Sequence, residues 1–264
     1  MILFDLYPNK KTKAVTFSYD DGNVLDLKLA EILDKYGAKA TFNLVSGWIG
    51  ASENFLSSSD VFELSKTHEI ANHTKSHFWN ERIPVDQMVT QLIDCKNALE
   101  DMTGKPVTGY AYPNGKYNDE LLALLKALGF SYARTAGQSR TFAHPENFML
   151  WTGTCHHDNA VGDTKNFTKL SSYSKLPIFY IWGHTHDFKN RNNWHVLTET
   201  LDILKEDNSI WYATNIELCE YLNAIKKLRI SSGEKSIYNP TNVTVFATID
   251  GNAVELKPGL TTLK

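Results

Sequence analysis

The feature that most constrains the fold is an alternation, from residue 13 onward, of short runs rich in β-branched and aromatic residues with amphipathic stretches. The first such run, KAVTFSY at 13–19, precedes a stretch whose apolar residues recur at helical spacing, and ATFNLV at 40–45 follows that stretch. Strands that alternate with helices form βα units around a mostly parallel sheet. About seven repeats can be counted before the pattern ends, and that number favours an α/β barrel over a small open sheet.

The pattern changes after Gly233, where apolar and polar residues alternate. Asp250 and Gly251 stand where a two-residue hairpin turn would lie. With 264 residues, of which 42% are hydrophobic, the chain can bury the core of one large domain with a small addition. We therefore predict a barrel domain over 1–233 and a small β-hairpin appendage over 234–264.

Charge and composition exclude several classes of partner. The net charge is −3 and the charged residues are scattered, so we expect neither a nucleic-acid nor a membrane partner. No apolar run approaches the roughly 20 residues that cross a bilayer as a helix. The N-terminus lacks the pattern of a signal peptide, and the three cysteines cannot all pair within one chain. These features predict a cytoplasmic protein; they do not indicate its oligomeric state.

Two adjacent acids end the first strand of the pattern. In TFSYDDG, Asp20 and Asp21 stand side by side before Gly22. Adjacent residues at a strand end point in different directions, so one carboxylate can bind a cation while the other handles a proton. The same three residues also suit an ordinary solvated turn. The choice between these interpretations depends on the other motifs.

A pair of histidines follows another short strand. In ANHTKSH, His73 and His77 are four residues apart, on one side of a helical turn. With one carboxylate they would form a three-ligand metal site that leaves a position open for water. Because the carboxyl ends of barrel strands meet at one rim, we predict Asp21 as the third ligand. Asp20 would then act as the base that takes a proton from that water.

Three further segments place polar residues at the same predicted rim. FYIWGHTHDF ends an apolar strand, and His184, the first histidine after it, is our candidate for the acid that protonates a leaving group. The turn in GYAYPNGKYN has backbone N–H groups that could face an oxyanion. His157 and Asp158, in TCHHDN, could contact substrate or reach a metal. Exposed polar loops are the alternative for each segment.

These residues, in this order, resemble the NodB-type polysaccharide deacetylases, carbohydrate esterases that remove acetyl groups from N-acetylated sugars. The resemblance runs from about Lys13 to Ala213. TFSYDDG is similar to the family's first motif, T-F-D-D-G, which implies that Asp20 is the catalytic base and Asp21 a metal ligand. HTKSH matches the motif H-[ST]-x-x-H, which implies that His73 and His77 are the other ligands.

The remaining motifs match less well. The family's R-x-P-Y-G aligns with 111–115, so its Arg is an Ala here, and Asn114 would supply the backbone N–H that binds the oxyanion, with Tyr112 beside it. Arg134, after the next strand, is our candidate for restoring a cation that orients the base. The last motif, L-x-x-H, fits imperfectly at His184. The fourth motif, built around Trp and Asp, is placed at Trp151 and Asp158.

The resemblance implies a distorted (β/α) barrel of seven or eight strands and one divalent metal, most often zinc, with cobalt, nickel or manganese as the other choices. It also implies a reaction. Asp20 would activate a metal-bound water that attacks the acetamide carbonyl, the metal and the Asn114 N–H would stabilise the oxyanion, and His184 would protonate the departing amine. The substrate would be an N-acetylated sugar or oligosaccharide.

Two other functions are open at this level. Residues 183–186, GHTH, resemble the closing motif of metallophosphoesterases, but the D-x-H that begins those enzymes occurs nowhere in the chain. Alternatively, the barrel could bind carbohydrate through its aromatic residues, which include six Trp and twelve Tyr, after losing its chemistry. The Ala at position 111 favours that alternative, whereas the presence of both acids and both ligand histidines argues against it.

Overall fold

A computed structural model describes residues 1–79, 82–171 and 175–263. The strands in this part of the chain are β1 Ile2–Leu6, β2 Lys13–Asp20, β3 Ala40–Leu44, β4 Glu69–Asn72, β5 Gly109–Ala111, β6 Tyr132–Thr135, β7 Trp151–Thr152, β8 Cys155–His156, β9 Ile178–His184, β10 Ile210–Tyr212, β11 Arg229–Ile230, β12 Ser236–Asn239, β13 Val245–Ile249, β14 Asn252–Leu256 and β15 Gly259–Thr262. The α-helices are α1 Asp26–Lys35, α2 Ser58–Leu64, α3 Val85–Thr103, α4 Asp119–Ala127, α5 Ala160–Thr168, α6 Thr185–Asn190, α7 Trp194–Leu204 and α8 Asn215–Lys227.

A parallel sheet forms the body of the molecule. Its strands follow the order β7-β6-β5-β4-β3-β2-β9-β8, and β10 pairs with the first residues of β2. The two ends of this path, β7 and β8, are separated by only two residues of the chain. The sheet therefore forms an incomplete, distorted barrel with helices between its strands. This confirms the predicted α/β fold, a distorted (β/α) barrel of seven or eight strands.

The alternation of side chains along β2 separates the apolar core from the barrel interior. Val15, Phe17 and Tyr19 are fully buried in the largest hydrophobic cluster, which also contains residues of α1 and α7. Because successive side chains of a strand point to opposite faces, Ser18 and Asp20 lie on the other face. This alternation places Asp20 at the rim on the inner side of the sheet.

The helices bury one face against the sheet. In α3, the longest helix described, the buried residues recur at helical spacing: Met88, Leu92, Cys95, Leu99 and Thr103. Gly104, in the left-handed conformation, ends this helix. Among the described helices, none combines the length and apolar character needed to span a membrane.

The C-terminal segment forms antiparallel strands. The predicted turn at Asp250–Gly251 joins β13 and β14, which pair directly from Ile249 and Asn252 outward. β13 also pairs with β1 from the N-terminus, while β12 pairs with β11 and β15. The segment thus contains four strands rather than one hairpin, and two of its partners lie before residue 233. The domain boundary at residue 233 stays a prediction.

The turn after β5 depends on a glycine. Gly115 has a φ of 68°, and a Cβ there would lie 2.5 Å from the backbone nitrogen of Ala136, whereas a Cβ on Gly129, with a φ of 79°, meets nothing within 4 Å. We expect Gly129→Ala to lower the free energy of unfolding by about 1–2 kcal/mol through the left-handed conformation alone. Gly115→Ala should cost roughly 2–5 kcal/mol because the clash is added. Urea unfolding of both variants checks this, and equal losses would contradict it.

Candidate active site

Three neighbouring strands end beside one another at the carboxyl rim of the barrel. β2 lies between β3 and β9, and the register sets Asp20 opposite Asn43 on one side and opposite His184 on the other. His73 follows β4, the next strand after β3. The structure therefore brings together the acids and the histidines that were predicted from separate motifs.

Asp21, His73 and His77 form a compact set of three potential metal ligands, called the three-ligand set below. Asp21 Oδ1 lies 3.7 Å from His73 Nε2 and 3.7 Å from His77 Nε2. One ligand atom from each residue lies within 4.8 Å of the others. Ligand atoms on a tetrahedral zinc ion, at its usual bond lengths, lie about 3.4 Å apart. The three side chains can thus bind a divalent ion after a small contraction.

The hydrogen bonds around these side chains fit a metal. Asp21 Oδ1 is buried and has no hydrogen-bond partner in the described residues, a costly state that a cation would relieve. His73 Nδ1 donates to the carbonyl oxygen of Ala111 at 2.8 Å, which leaves the Nε2 lone pair free toward Asp21. Burial lowers the pKa of His73, which favours the neutral form that metals bind. Two imidazoles and a carboxylate suit zinc and neighbouring transition metals.

The backbone is unusual at the same residues. Asp21, Thr74 and His77 have φ values of 83°, 68° and 56°, in the left-handed region that non-glycine residues seldom adopt. The surroundings hold these turns in place, since the His77 N–H donates to Thr74 Oγ1 and the His77 ring stacks on Trp48. Strained conformations of this kind cluster at functional sites.

Both oxygens of Asp20 have partners. Oδ1 accepts a hydrogen bond from Asn43 Nδ2 at 2.8 Å, and Oδ2 forms a buried ion pair with Nη2 of Arg134. Burial alone would raise the pKa of Asp20, but the charges of Arg134, His73 and His184 outweigh it and lower the pKa to about 2. Asp20 is therefore ionised at neutral pH.

Arg134 occupies the place predicted for a replacement cation. It lies on β6 directly opposite Ala111 on β5, so its guanidinium approaches Asp20 from the strand next to the position where the resemblance implies an Arg. The side chain is buried, and its guanidinium carbon lies 4.9 Å from the centre of the Trp182 ring. The ion pair with Asp20 is present in the structure; the role of Arg134 in orienting the base stays a prediction.

His184 lies between the two acids and Asp187, a residue that was not identified from the sequence. Its Nε2 lies 3.9 Å from Oδ2 of Asp20 and of Asp21, and its Nδ1 lies 3.4 Å from Asp187 Oδ2. Burial alone would lower the pKa of His184, but the Asp187 hydrogen bond and the nearby carboxylates outweigh it and raise the pKa to about 9. The spacing of three residues, within one helical turn, was the available signal for Asp187.

The other predicted site residues either lie away from Asp20, Asp21 and His184 or make contacts other than the predicted ones. The Tyr112 hydroxyl donates to the carbonyl oxygen of Met149, and the Trp151 ring packs edge-on against Tyr180. Both side chains are buried in apolar clusters, so their predicted contact with substrate is not supported. Asn114 is exposed in the turn after β5, and its backbone role as an oxyanion donor stays a prediction.

His157 and Asp158 lie on the Asp187 side of His184. The His157 ring is buried and stacks on Phe188, with ring centres 3.8 Å apart. Burial lowers the pKa of His157 to about 3. Asp158 Oδ2 lies 3.1 Å from His156 Nδ1 and also pairs with Arg191. These residues therefore surround the partner of His184 rather than the three-ligand set.

Comparison with known proteins shows which family the chain resembles. Residues 7–133, just under half of the chain, match the family model described as polysaccharide deacetylase. YxkH of Bacillus subtilis, a polysaccharide deacetylase by name, is 28% identical over 137 residues, which cover 51% of this chain and 48% of YxkH. The peptidoglycan-N-acetylmuramic acid deacetylase PdaC of the same organism is 28% identical over 119 residues, 45% of this chain and 25% of PdaC. The chain thus matches less than half the length of either relative.

The fold is also found among solved structures. A family 4 acetyl xylan esterase from Clostridium thermocellum, in complex with a cobalt ion, superposes with a TM-score of 0.56. It is 19% identical, and the alignment covers 78% of this chain and 89% of the esterase. At that identity the likeness concerns the fold alone. The chain is therefore similar to the polysaccharide deacetylases in the sequence of residues 7–133 and to the esterase in its fold.

Proposed function

We propose that the protein is a metal-dependent hydrolase that removes acetyl groups from an N-acetylated carbohydrate. The observation that carries this proposal is the unpaired, buried Oδ1 of Asp21 between two imidazole nitrogens, with Asp20 and His184 alongside. Metal-assisted hydrolysis of an amide needs a base for the attacking water and an acid for the departing nitrogen. The carboxylate and the histidine beside the ligands can supply these two groups.

The side chains have separate tasks in this scheme. Asp21, His73 and His77 would hold a divalent ion, which when bound polarises a carbonyl and lowers the pKa of water. Asp20, kept ionised by Arg134, accepts the proton that the attacking water loses. His184, held through Nδ1 by Asp187, donates a proton from Nε2 to the departing nitrogen.

The proposed proton donor, His184, favours an amide over an ester as the bond that is cleaved. An amine leaves only after its nitrogen is protonated, whereas an alcohol is a better leaving group. The carboxylates of Asp187, Asp20 and Asp21 keep His184 protonated, as this step demands. The name of PdaC, a peptidoglycan-N-acetylmuramic acid deacetylase, points to an amide as well, whereas the structural relative is named as an esterase. The cytoplasmic location and the exclusion of nucleic-acid and membrane partners stay predictions.

The two alternative functions have less support. A binding barrel that has lost its chemistry was suggested by Ala111, but the structure supplies a guanidinium to Asp20 from Arg134 instead. The metallophosphoesterase alternative rested on residues 183–186, and the match of residues 7–133 to the polysaccharide deacetylase model argues against it. Catalysis by the metal centre is the function that the geometry supports best.

Loss of a ligand should remove both metal and activity. We expect His77→Gln to lose the tightly bound zinc after dialysis and to release acetate at least about 100-fold more slowly, because an amide cannot replace the imidazole. His195→Gln is the matched control, since His195 is exposed on α7 and belongs to no ligand set. Elemental analysis and acetate release from N-acetylated oligosaccharides measure both effects. Full zinc retention by His77→Gln would refute the assignment.

The position of the guanidinium can be tested by moving it. Arg134→Ala should slow acetate release by about 100-fold or more, because Asp20 loses its charged partner. The double variant Ala111→Arg/Arg134→Ala returns the guanidinium to the neighbouring strand, where the register places it beside the emptied space. We expect it to recover a substantial part of the lost rate. A folded double variant with no recovery would show that Arg134 acts in another way.

Replacing Asp187 should change how the rate of acetate release varies with pH. Activity requires protonated His184, so the rate should fall as pH rises through the pKa of that residue. The Asp187 carboxylate raises this pKa, and Asp187→Asn removes its charge. We therefore expect the alkaline limb of the kcat/KM profile to move to lower pH in Asp187→Asn. An unchanged limb would contradict the pairing of the two residues.

A further inference from the structure

A second group of potential metal ligands includes Asp187, the residue that faces Nδ1 of His184. His156, His157 and Asp187 each offer a ligand atom, and these atoms lie within 4.8 Å of one another. None of the three belongs to the set formed by Asp21, His73 and His77. The arrangement therefore needs its own explanation.

The spacing of these atoms is compatible with a tetrahedral metal ion. His156 Nε2 and Asp187 Oδ2 are 3.4 Å apart, the same separation as between His184 Nδ1 and Asp187 Oδ2. Two ligands of a tetrahedral zinc ion lie about 3.4 Å apart. The rings of His156 and His157 are close as well, with centres 4.2 Å apart.

The state of His157 is a second, independent observation. Only 1% of its surface is exposed, and neither ring nitrogen has a hydrogen-bond partner among the described residues; a carboxylate oxygen, Asp158 Oδ1, lies 3.4 Å from Nε2. Tyr19 and Phe188 stack on the ring and hold it in place. A buried polar group without a partner is costly and calls for a missing ligand. A cation on this neutral imidazole would satisfy it.

The charges nearby leave one carboxylate oxygen for a cation. Arg191 pairs with Asp158, and its Nη2 lies 3.7 Å from Oδ1 of Asp187. His186 Nε2 also faces that oxygen, at 3.9 Å. The other oxygen of Asp187, Oδ2, faces His156 and His184 at 3.4 Å each. An ion on His156 would therefore compete with His184 for Oδ2.

We propose that His156, His157 and Asp187 form a second site for a divalent transition-metal ion such as zinc, and that an ion bound there inhibits the enzyme. Inhibition follows because the ion takes the carboxylate that holds His184. The inhibitory effect rests on the proposed function, whereas binding of the ion does not.

Equilibrium dialysis against zinc tests the binding. At saturation we expect the wild-type chain to hold two ions, His77→Gln to hold one and His156→Gln to hold one. His186→Gln is the matched control and should hold two, because His186 faces the opposite oxygen of Asp187. His157→Phe keeps the stacked ring but removes its nitrogens, so it should also hold one ion. This variant supports the test if His156→Gln fails to fold.

Acetate release at increasing zinc tests the consequence. The rate of the wild-type enzyme should rise up to one equivalent and fall at least several-fold in excess zinc, while His156→Gln should show no fall. The proposal is overturned if the wild-type chain binds a single ion, if both His156→Gln and His157→Phe still bind two, or if His186→Gln loses one. Absence of acetate release from every variant would refute the proposed deacetylase function, while the zinc counts would still decide the second site.

Discussion

The buried ion pair between Asp20 and Arg134 connects opposite parts of the barrel. Asp20 ends β2, and Arg134 lies on β6, four strands away in the sheet order. The two side chains can meet only because the sheet curls, so the contact depends on the closed shape of the fold. A buried charge without its partner is strongly destabilising. The pair thus links the geometry of the barrel to the position of the proposed base.

The two adjacent carboxylates, Asp20 and Asp21, have different surroundings, and these suit them to different tasks. Asp20 has a partner for each oxygen, from Asn43 and Arg134, and is fixed as an anion. Asp21 turns away through a left-handed backbone and leaves its buried Oδ1 unpaired between two imidazoles. The same acid pair therefore suits the two roles that we propose, an oriented proton acceptor and a metal ligand. His184, with its Nε2 3.9 Å from each carboxylate, couples them to Asp187.

The closeness of Asp21, His73 and His77 could be predicted from the sequence because both motifs are local and each follows a strand. Arg134 was also predicted, since adjacent parallel strands end at the same rim. The burial of Tyr112 and Trp151 could not be read from their motifs, because a strand-end position does not reveal which face a side chain occupies. Asp187 was missed because its contact with His156 depends on how α6 turns back toward β8. The pairing of β1 with β13 joins the chain ends, beyond the reach of any local pattern.

Acetate release by metal-stripped protein, with and without one equivalent of zinc, is the most direct test of the central claim that the Asp21, His73 and His77 centre drives deacetylation. N-acetylated oligosaccharides are the substrates, and Asp21→Asn is measured beside the wild-type chain. The account predicts that zinc restores acetate release to the wild-type chain and fails to restore it to Asp21→Asn. Equal release with and without zinc, or full activity of Asp21→Asn, would contradict it.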